Sequence, residues 1–330
     1  MSVVAGLLHT DGCPALAPLP ARAPDGHKGT FGTVVVVGGC AMGLGARPHS
    51  GDEGARVMFG GSVLCARAAL RAGCGLVDLA LPAPLVPGAL AALESATAHA
   101  LPVRASGELD ASSCASLLDP VLSRATALAI GPGLGAGHAV AQVVVRLLAR
   151  DTLPAVVDAD ALNALAATPR FDLDFRAPGI LTPHPGEFGR LAANLGLPAL
   201  PERPAPEQLH AAAQGLAQRV GAVVILKGHR TAVSDGLHAW SACAGSPALA
   251  TGGSGDVLTG ICASIVAQFG PASRARSLSM LDCARWAVIV HGMAALRWSA
   301  SHGQAGMLAQ ELCDHVPEAL DEARQHLPHG

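Results

Sequence analysis

The chain alternates short apolar runs, rich in Val, Ile and Leu, with longer stretches rich in Ala and Leu. The short runs include TVVVVGG (33–39), LVDLALP (76–82), ALAIGPG (127–133), AVVDAD (155–160), GILTPH (179–184) and VVILKG (223–228). Helical patterns separate them, as in GSVLCARAALRAG (61–73), GHAVAQVVVRLLAR (137–150) and PEQLHAAAQGLAQRV (206–220). Short strands that are apolar on both faces and joined by helices form parallel sheets covered on both sides. The pattern therefore predicts an α/β fold, a three-layer α/β/α sandwich around a mostly parallel central sheet.

From residue 254 onward the pattern becomes mainly helical. It reads SGDVLTGICASIVAQFG (254–270), MLDCARWAVIVHGMAALRWSA (280–300) and QAGMLAQELCDHVPEALDEA (304–323). No polar linker divides the chain, so we expect one domain over residues 27–330, preceded by a Pro-rich N-terminal extension, residues 1–26. A Gly-rich, partly charged insertion at residues 41–59 interrupts the rhythm. It is either a surface loop or a flap over a site, since long loops without regular structure are often functional.

Composition narrows the function classes. The net charge is −3, and six Phe, three Trp and no Tyr leave few rings for stacking on bases, so we expect no nucleic-acid partner. No apolar run reaches the roughly 18 residues of a membrane span, and no secretory signal opens the chain, so we expect a cytoplasmic protein. The nine cysteines contain no C-x-x-C pair, which favours buried thiols over disulfides or metal ligands. We expect no metal site built from protein ligands alone.

Lysine is rare in this chain. Only Lys28 and Lys227 occur, both in Gly-flanked stretches, HKGTFG and ILKGHRT. A compact ammonium differs chemically from the planar guanidinium that the chain uses elsewhere. We therefore expect both lysines to lie at a site.

Short polar or glycine-rich motifs follow the predicted strands. They are GGC (38–40), GPGLG (131–135), DADALN (158–163), TPHPGE (182–187) and KGHRT (227–231). Each alone is compatible with an ordinary turn or loop. Ligands of such folds bind beyond the carboxyl ends of the strands, however, and all five motifs fall there. Their convergence predicts a binding site at this edge of the sheet.

The segment ATGGSGDVLTG (250–260) places glycines and one carboxylate, Asp256, where a helix begins. The first turn of a helix has unpaired N–H groups and the positive end of the helix dipole, so it binds anions. The backbone N–H groups of Gly252, Gly253, Ser254 and Gly255 are the candidate phosphate-binding anion hole. Asp256 itself is either a helix-capping residue or a base beside a bound phosphate.

Seven segments, in this order, resemble the ADP/ATP-dependent NAD(P)H-hydrate dehydratase family, which has a ribokinase-like fold. They are HKGTFGTVVVVGG, ARAALRAGCGLV, IGPGLG, VVDADALN, LTPHPGE, LKGHRT and ATGGSGDVLTG. The resemblance covers about residues 20–320, and we expect no N-terminal epimerase domain of the kind that some bifunctional relatives carry. It implies repair of hydrated NADH or NADPH (NADHX, NADPHX) with ADP or ATP as phosphoryl donor, with Mg²⁺, in a homo-oligomer.

The resemblance also implies site residues. The nucleotide is expected to contact Lys227, Gly228, His229, Arg230, Thr231 and Gly255. The hydrated cofactor is expected to contact Gly61, Gly133, His184 and Asp256, with Asp256 as the catalytic base that takes the proton of the ring hydroxyl. Two departures concern the hydrate side: Gly61 stands where the family usually has Ala, and Ser246 where Asn is common.

Two other functions use the same features. A ribokinase-like kinase of a vitamin precursor or sugar would need the same anion hole and base, but its phosphorylated product would survive. A nucleotide-binding regulatory protein would bind nucleotide without turnover. The segment HKGTFG favours the dehydratase over the kinase, and the presence of Lys227, Gly255 and Asp256 argues against loss of turnover.

Overall fold

A computed structural model describes residues 13–44, 56–242 and 245–326. Its strands, in chain order, are β1 (Thr33–Val37), β2 (Cys40–Met42), β3 (Arg56–Met58), β4 (Leu76–Pro82), β5 (Thr97–Leu101), β6 (Ala127–Ile130), β7 (Ala155–Val157), β8 (Gly179–Leu181), β9 (Val223–Leu226), β10 (Ala232–Ser234) and β11 (Ala239–Ser241). Its helices are α1 (Gly60–Arg71), α2 (Val86–Ala92), α3 (Ala111–Leu122), α4 (His138–Leu148), α5 (Ala159–Ala167), α6 (Pro185–Leu195), α7 (Pro206–Val220), α8 (Ser254–Phe269), α9 (Met280–His302), α10 (Ala309–Asp314) and α11 (Val316–His326).

The main sheet has nine strands in the order β11-β10-β9-β8-β7-β6-β1-β4-β5. The seven strands from β9 to β5 pair in parallel, whereas β10 and β11 are antiparallel additions at one edge. The predicted mostly parallel α/β sheet is confirmed. The sequence pattern identified the six central strands and missed β5, β10 and β11, which lie at or near the edges.

Helices cover both faces of the sheet. In β1, Val34 and Val36 pack in one core with α1, α8 and α9, while Val35 and Val37 pack in a second core with α3 to α7. Successive side chains of a strand point to opposite faces, so a strand buried on both faces is apolar throughout. The three-layer sandwich is therefore present as predicted.

Helix α8 packs against α1 at close range. A Cβ atom at Gly260 would overlap the carbonyl oxygen of Cys65, so only glycine permits this backbone approach. The same packing brings the N-terminal turns of the two helices together, and with them Gly61 and Asp256.

The described part of the N-terminal extension packs on α9 and α11. Leu19 is buried, and the indole N–H of Trp286 donates to the carbonyl oxygen of Ala17 over 2.9 Å. Arg285 and Arg324 donate to the carbonyl oxygens of Pro14 and Pro20. Residues 13–20 thus complete one face of the core.

Two parts of the chain differ from the predicted pattern. The ends of the 41–59 insertion form an antiparallel pair, β2 and β3, while residues 45–55 lie outside the described residues. The predicted stretch 304–323 divides into α10 and α11 at His315. Among the described helices, none combines the length and the apolar character needed to cross a membrane.

Candidate functional site

Five adjacent parallel strands end at one edge of the sheet, and a motif begins at the residue after each. These residues are Gly38 after β1, Gly131 after β6, Asp158 after β7, Thr182 after β8 and Lys227 after β9. Backbone hydrogen bonds extend the ladder one step further, with the N–H groups of Gly131, Asp158, Thr182 and Lys227 donating to the neighbouring chain segment. The predicted convergence of the motifs is thus a consequence of strand order.

The buried carboxylate of Asp158 lies at the centre of this edge. Its Oδ1 is 2.7 Å from Nζ of Lys227, and its Oδ2 accepts a hydrogen bond of 2.7 Å from the hydroxyl of Thr259 on α8. Burial lowers the pKa of Lys227, but the carboxylates of Asp158 and Glu187 outweigh burial and the net pKa lies above the ordinary value. Lys227 therefore remains a cation at neutral pH.

Helix α6 begins at the same edge with a reciprocal cap. His184 Nδ1 accepts hydrogen bonds from the N–H groups of Gly186 and Glu187, and Glu187 Oε2 accepts one from the N–H of His184 over 2.8 Å. Burial raises the pKa of Glu187 to about 7, against the opposing effect of Lys227, whose Nζ is 3.8 Å away. Burial and Lys227 lower the pKa of His184.

Helix α8 starts from a left-handed glycine. Gly253 has φ +92°. The hydroxyl of Ser254 donates hydrogen bonds to the carbonyl oxygens of Leu249 and Thr251, which fixes the turn. The N–H groups of a first helical turn have no partner within the helix. A Cβ atom on Gly255 would stand 3.4 Å from Nζ of Lys227, so the ammonium lies against this turn. The positive charge of Lys227 and the positive end of the α8 helix dipole therefore lie side by side here.

Asp256 projects from the same turn toward α1. A Cβ atom on Gly61 would stand 2.9 Å from Oδ1 of Asp256, so this glycine faces the carboxylate directly. Burial raises the pKa of Asp256 to about 7, and the negative charge of Asp158 adds to the rise, while Lys227 opposes it. A carboxyl group with a pKa near neutrality is suited to accept a proton in turnover.

A cavity of about 620 Å³ opens beside Lys227 and the first turn of α8. Its lining comprises Lys227, Gly228, His229, Arg230, Thr231, Ala242, Gly245, Ser246, Pro247, Leu249, Ala250, Ser254, Gly255, Leu258, Val288, His291 and Gly292. Lys227 and Arg230 make part of the lining cationic, while Leu249, Leu258 and Val288 contribute apolar surface. A concave site with apolar lining and a few charged or polar groups is typical of small-molecule binding sites.

The structure brings all six predicted nucleotide residues together, because Lys227 to Thr231 and Gly255 line this cavity. Of the predicted anion hole, Ser254 and Gly255 line the cavity as well. Gly253 instead lies beneath the turn, where a Cβ atom would meet side chains of Leu64 and Ala309, and Gly252 faces open space.

The predicted hydrate residues lie at three different places along this edge. Gly61 is adjacent to Asp256, as described above. Gly133 has φ +62° and lies beside Met58 of β3, in a turn whose Pro132 carbonyl oxygen accepts a 2.7 Å hydrogen bond from Ser62. His184 caps α6 with its side chain about half exposed (51%). These residues surround the carboxyl edge, but no contact joins Gly133 or His184 to Asp256 within the described residues.

Sequence reasoning gave no role to four residues of this site: Asp158, Glu187, Thr259 and His291. The motifs DADALN and TPHPGE were recognised, but the ion pairs that Asp158 and Glu187 within them form with Lys227 were not. A polar residue directly after an all-apolar strand was the available signal for Asp158. Thr259 and His291 lie within long helical patterns. Nothing in the sequence distinguishes a residue that contacts the site from one that only packs in the core.

Lys28, the other lysine expected at a site, lies away from this edge. Lys28 belongs to a short 3₁₀ helix, Lys28–Phe31, that precedes β1, whereas Lys227 follows β9. Because these strands run parallel within the sheet, the two lysines lie at opposite edges.

Comparison with known proteins agrees with this geometry. The model of the NAD(P)H-hydrate dehydratase family matches residues 53–318. A bifunctional NAD(P)H-hydrate repair enzyme of Coxiella burnetii is 36% identical over 300 residues, covering 90% of this chain and 52% of that protein. An ADP-dependent (S)-NAD(P)H-hydrate dehydratase of Xanthomonas campestris is 34% identical, covering 96% of both chains. The chain thus spans about half the length of the bifunctional relatives it matches.

Solved structures give the same result. An ADP/ATP-dependent NAD(P)H-hydrate dehydratase of Bacillus subtilis, co-crystallized with ATP/Mg²⁺, superposes with a TM-score of 0.68 at 27% identity, covering 93% of this chain and 95% of that one. A ribokinase-like superfamily protein of Enterococcus faecalis has a TM-score of 0.69 at 22% identity, with 93% of each chain covered, which shows the fold. The fold is ribokinase-like, and the chain belongs to the NAD(P)H-hydrate dehydratase family.

Proposed function

We propose that this protein catalyses the ADP- or ATP-dependent dehydration of hydrated NADH or NADPH back to the reduced cofactor. The observation that carries the proposal is the position of Asp256. This carboxyl group, with its pKa raised to about 7, lies in the first turn of α8, next to Gly255, which lines the nucleotide-sized cavity with Lys227. Family membership and the named relatives supply the substrate class.

The proposed reaction has two steps. First, the ring hydroxyl of the hydrate attacks the terminal phosphorus of the nucleotide, Asp256 accepts the hydroxyl proton, and AMP or ADP leaves. Lys227 and the N–H groups of the α8 turn stabilise the charge on the transferred phosphoryl group. Second, the C–O bond of the new phosphate ester breaks and the adjacent ring carbon gives its proton to the departing phosphate, which leaves as inorganic phosphate and restores the ring double bond.

Gly61 and the GPGLG turn are the proposed hydrate contacts. Gly61 adjoins Asp256, and the next residue, Ser62, bonds the Pro132 carbonyl oxygen of the turn, so a hydrate bound there would present its hydroxyl to the carboxylate. His184 at the start of α6 is the third proposed contact. A donor and an acceptor held beside one base satisfy the proximity that phosphoryl transfer needs.

Mg²⁺ is the proposed counter-ion of the nucleotide. Mg²⁺ usually binds through one or two carboxylates together with substrate phosphates, so it does not need a cluster of protein ligands. Both oxygens of Asp158 have partners at 2.7 Å, whereas Oε1 of Glu187 has a longer contact, 3.4 Å to His184 Nε2. The residues present therefore fit a phosphate-bound Mg²⁺ held by Glu187, which would neutralise phosphate charge.

A coupled assay tests the function. Purified protein is incubated with hydrated NADH or NADPH plus ADP or ATP, with Mg²⁺, and recovery of the reduced-nicotinamide absorbance is followed together with phosphate release. Recovery with one phosphate released per cofactor is expected. A phosphorylated small molecule that survives the reaction would instead indicate a kinase, and nucleotide binding without hydrolysis would indicate a regulatory protein.

We further propose a cytoplasmic homo-oligomer. Cys13, Cys40, Cys65, Cys74, Cys114, Cys262, Cys283 and Cys313 are free thiols, and all except Cys13 are buried, as suits a reducing compartment. The homo-oligomer rests on the resemblance alone, and light scattering of the purified protein tests it.

A further inference from the structure

His291 of α9 makes a hydrogen bond that links the cavity wall to the first turn of α8. Its Nε2 lies 2.9 Å from the backbone carbonyl oxygen of Ser254, and the imidazole lines the nucleotide-sized cavity. A carbonyl oxygen can only accept a hydrogen bond, so Nε2 must carry the proton. In a neutral ring Nδ1 is then unprotonated.

The carbonyl that His291 contacts belongs to the peptide between Ser254 and Gly255. The carbonyl of Ser254 and the N–H of Gly255 share one planar trans peptide, in which C=O and N–H point in opposite directions. Fixing the direction of the Ser254 oxygen therefore also fixes the direction of the Gly255 N–H. That N–H is a proposed donor to the transferred phosphoryl group.

The Ser254 side chain makes hydrogen bonds of its own. Its hydroxyl is 2.8 Å from the carbonyl oxygen of Leu249 and 3.0 Å from that of Thr251. Ser254 is also the first residue of α8, so its carbonyl oxygen takes part in the helical hydrogen-bond pattern, and a second constraint on the same oxygen acts from the cavity side. His291 supplies that second constraint.

We infer that His291 is a positioning residue for the proposed phosphoryl transfer, because its Nε2–H holds the Ser254–Gly255 peptide so that the Gly255 N–H points to the phosphate. The inference rests on the proposed function. It assigns His291 no proton transfer and no charge.

The electrostatic surroundings support a neutral ring. Burial lowers the pKa of His291 to about 4, and the nearby charge of Lys227 acts in the same direction, while the bond to Ser254 opposes them. The ring is therefore uncharged at any pH at which the reaction would run, and its single proton stays available for the carbonyl.

The first test uses the unaltered protein and does not depend on activity. Long-range ¹H–¹⁵N NMR of the imidazoles is recorded between pH 5.5 and pH 8.5. We expect one histidine that keeps its proton on Nε2 throughout, and that His291→Gln removes this signal. A His291 that titrates near the ordinary 6.5, or that carries its proton on Nδ1, would overturn the inference.

The second test compares substitutions. His291→Leu removes the donor at similar volume, and we expect kcat to fall about tenfold, the scale of one hydrogen bond, with the hydrate KM within about twofold of wild type. His291→Gln places an N–H near the Nε2 position and is expected to recover most of the loss, whereas the shorter Asn does not. His302→Leu, the same change at an exposed position of α9, is the control.

The outcomes separate the two proposals. If wild-type protein repairs hydrated cofactor but Gln is as defective as Leu, or Leu is as active as wild type, the positioning role is wrong and the function stands. If Leu does not fold, the comparison of Gln with Asn decides in the same way. If wild type shows no repair, the proposed function fails, and the NMR result still tests the tautomer.

Discussion

The Nζ atom of Lys227 and the Oδ1 atom of Asp158 form an ion pair of 2.7 Å between residues 69 positions apart in the chain. The second oxygen of Asp158 accepts a hydrogen bond from the hydroxyl of Thr259, so the pair joins the ends of β9 and β7 to α8. The ammonium of Lys227 is thereby held against Gly255. One buried carboxylate thus sets the position of the cation that faces the cavity.

This arrangement predicts an asymmetric response to mutation. Asp158→Asn leaves Lys227 largely buried without its closest counter-charge, and we expect the free energy of unfolding to fall by about 3 kcal/mol, at the low end for a broken buried pair because Lys227 keeps some exposure. The double variant Asp158→Asn with Lys227→Met removes both charges and should be more stable than Asp158→Asn alone. Urea denaturation measures both. A double variant less stable than Asp158→Asn would contradict the view that the unpaired ammonium causes the loss.

Lys227→Ala is expected to raise the nucleotide KM far more than the hydrate KM, because removing an ammonium that holds the bound nucleotide weakens the binding of that substrate. Lys227→Arg should restore only part of the affinity, since a planar fork cannot replace a point charge at this position. Lys28→Ala is a matched control, since it removes the chain's other lysine at the opposite edge of the sheet. Steady-state kinetics with each substrate varied gives the comparison, and an unchanged nucleotide KM would remove Lys227 from the site.

The sequence was sufficient to predict the central strands, because strands buried on both faces are apolar at every position, as in Val34 to Val37. Strand β11 has only three residues, and its side chains alternate between half-buried and buried positions around Trp240, so its pattern resembles a loop. The edge of the sheet therefore escaped prediction for a physical reason. Edge strands need only one partner and one buried face.

Part of the candidate site, too, was visible in the sequence, and part depended on the fold. Glycine and charge at strand ends are visible in sequence, so Lys227, Gly255 and Asp256 could be selected before the structure was known. The partners of Asp158 could not, because Lys227 and Thr259 meet it only through strand order and through the close packing of α8 on α1. His291 looks like any other member of an apolar helix until the carbonyl of Ser254 is placed beside it.

Gly61 and Gly60 offer a matched pair of substitutions on α1. A Cβ atom on Gly61 would stand 2.9 Å from Oδ1 of Asp256, whereas a Cβ atom on Gly60 would have nothing within 4 Å. Gly61→Ala adds apolar volume against the carboxylate, so we expect the pKa of Asp256 to rise further and the acidic limb of kcat/KM to move to higher pH. Gly60→Ala should leave the profile unchanged. If both variants gave the wild-type profile, Gly61 would not control the environment of the base.

Asp256→Asn tests whether this residue is a base or a helix cap. As a base, it should be indispensable, and we expect the variant to bind ADP normally while turnover falls by roughly 10²-fold to 10⁴-fold. In the wild type the base must be ionised, so kcat/KM should decrease as pH falls below about 7, the pKa of Asp256.

The same substitution has a stability signature with a definite sign. A carboxyl group whose pKa rises from 3.8 in the unfolded chain to about 7 in the folded protein binds its proton more tightly when folded, so the wild type loses stability as pH rises between these values. Asn carries no charge and avoids that loss. We therefore expect the Tm of Asp256→Asn to exceed that of wild type, by more at pH 8 than at pH 5, in thermal denaturation. A variant that is less stable than wild type at pH 8 would identify Asp256 as a structural cap, and a stable variant with normal turnover would transfer the role of base to another group.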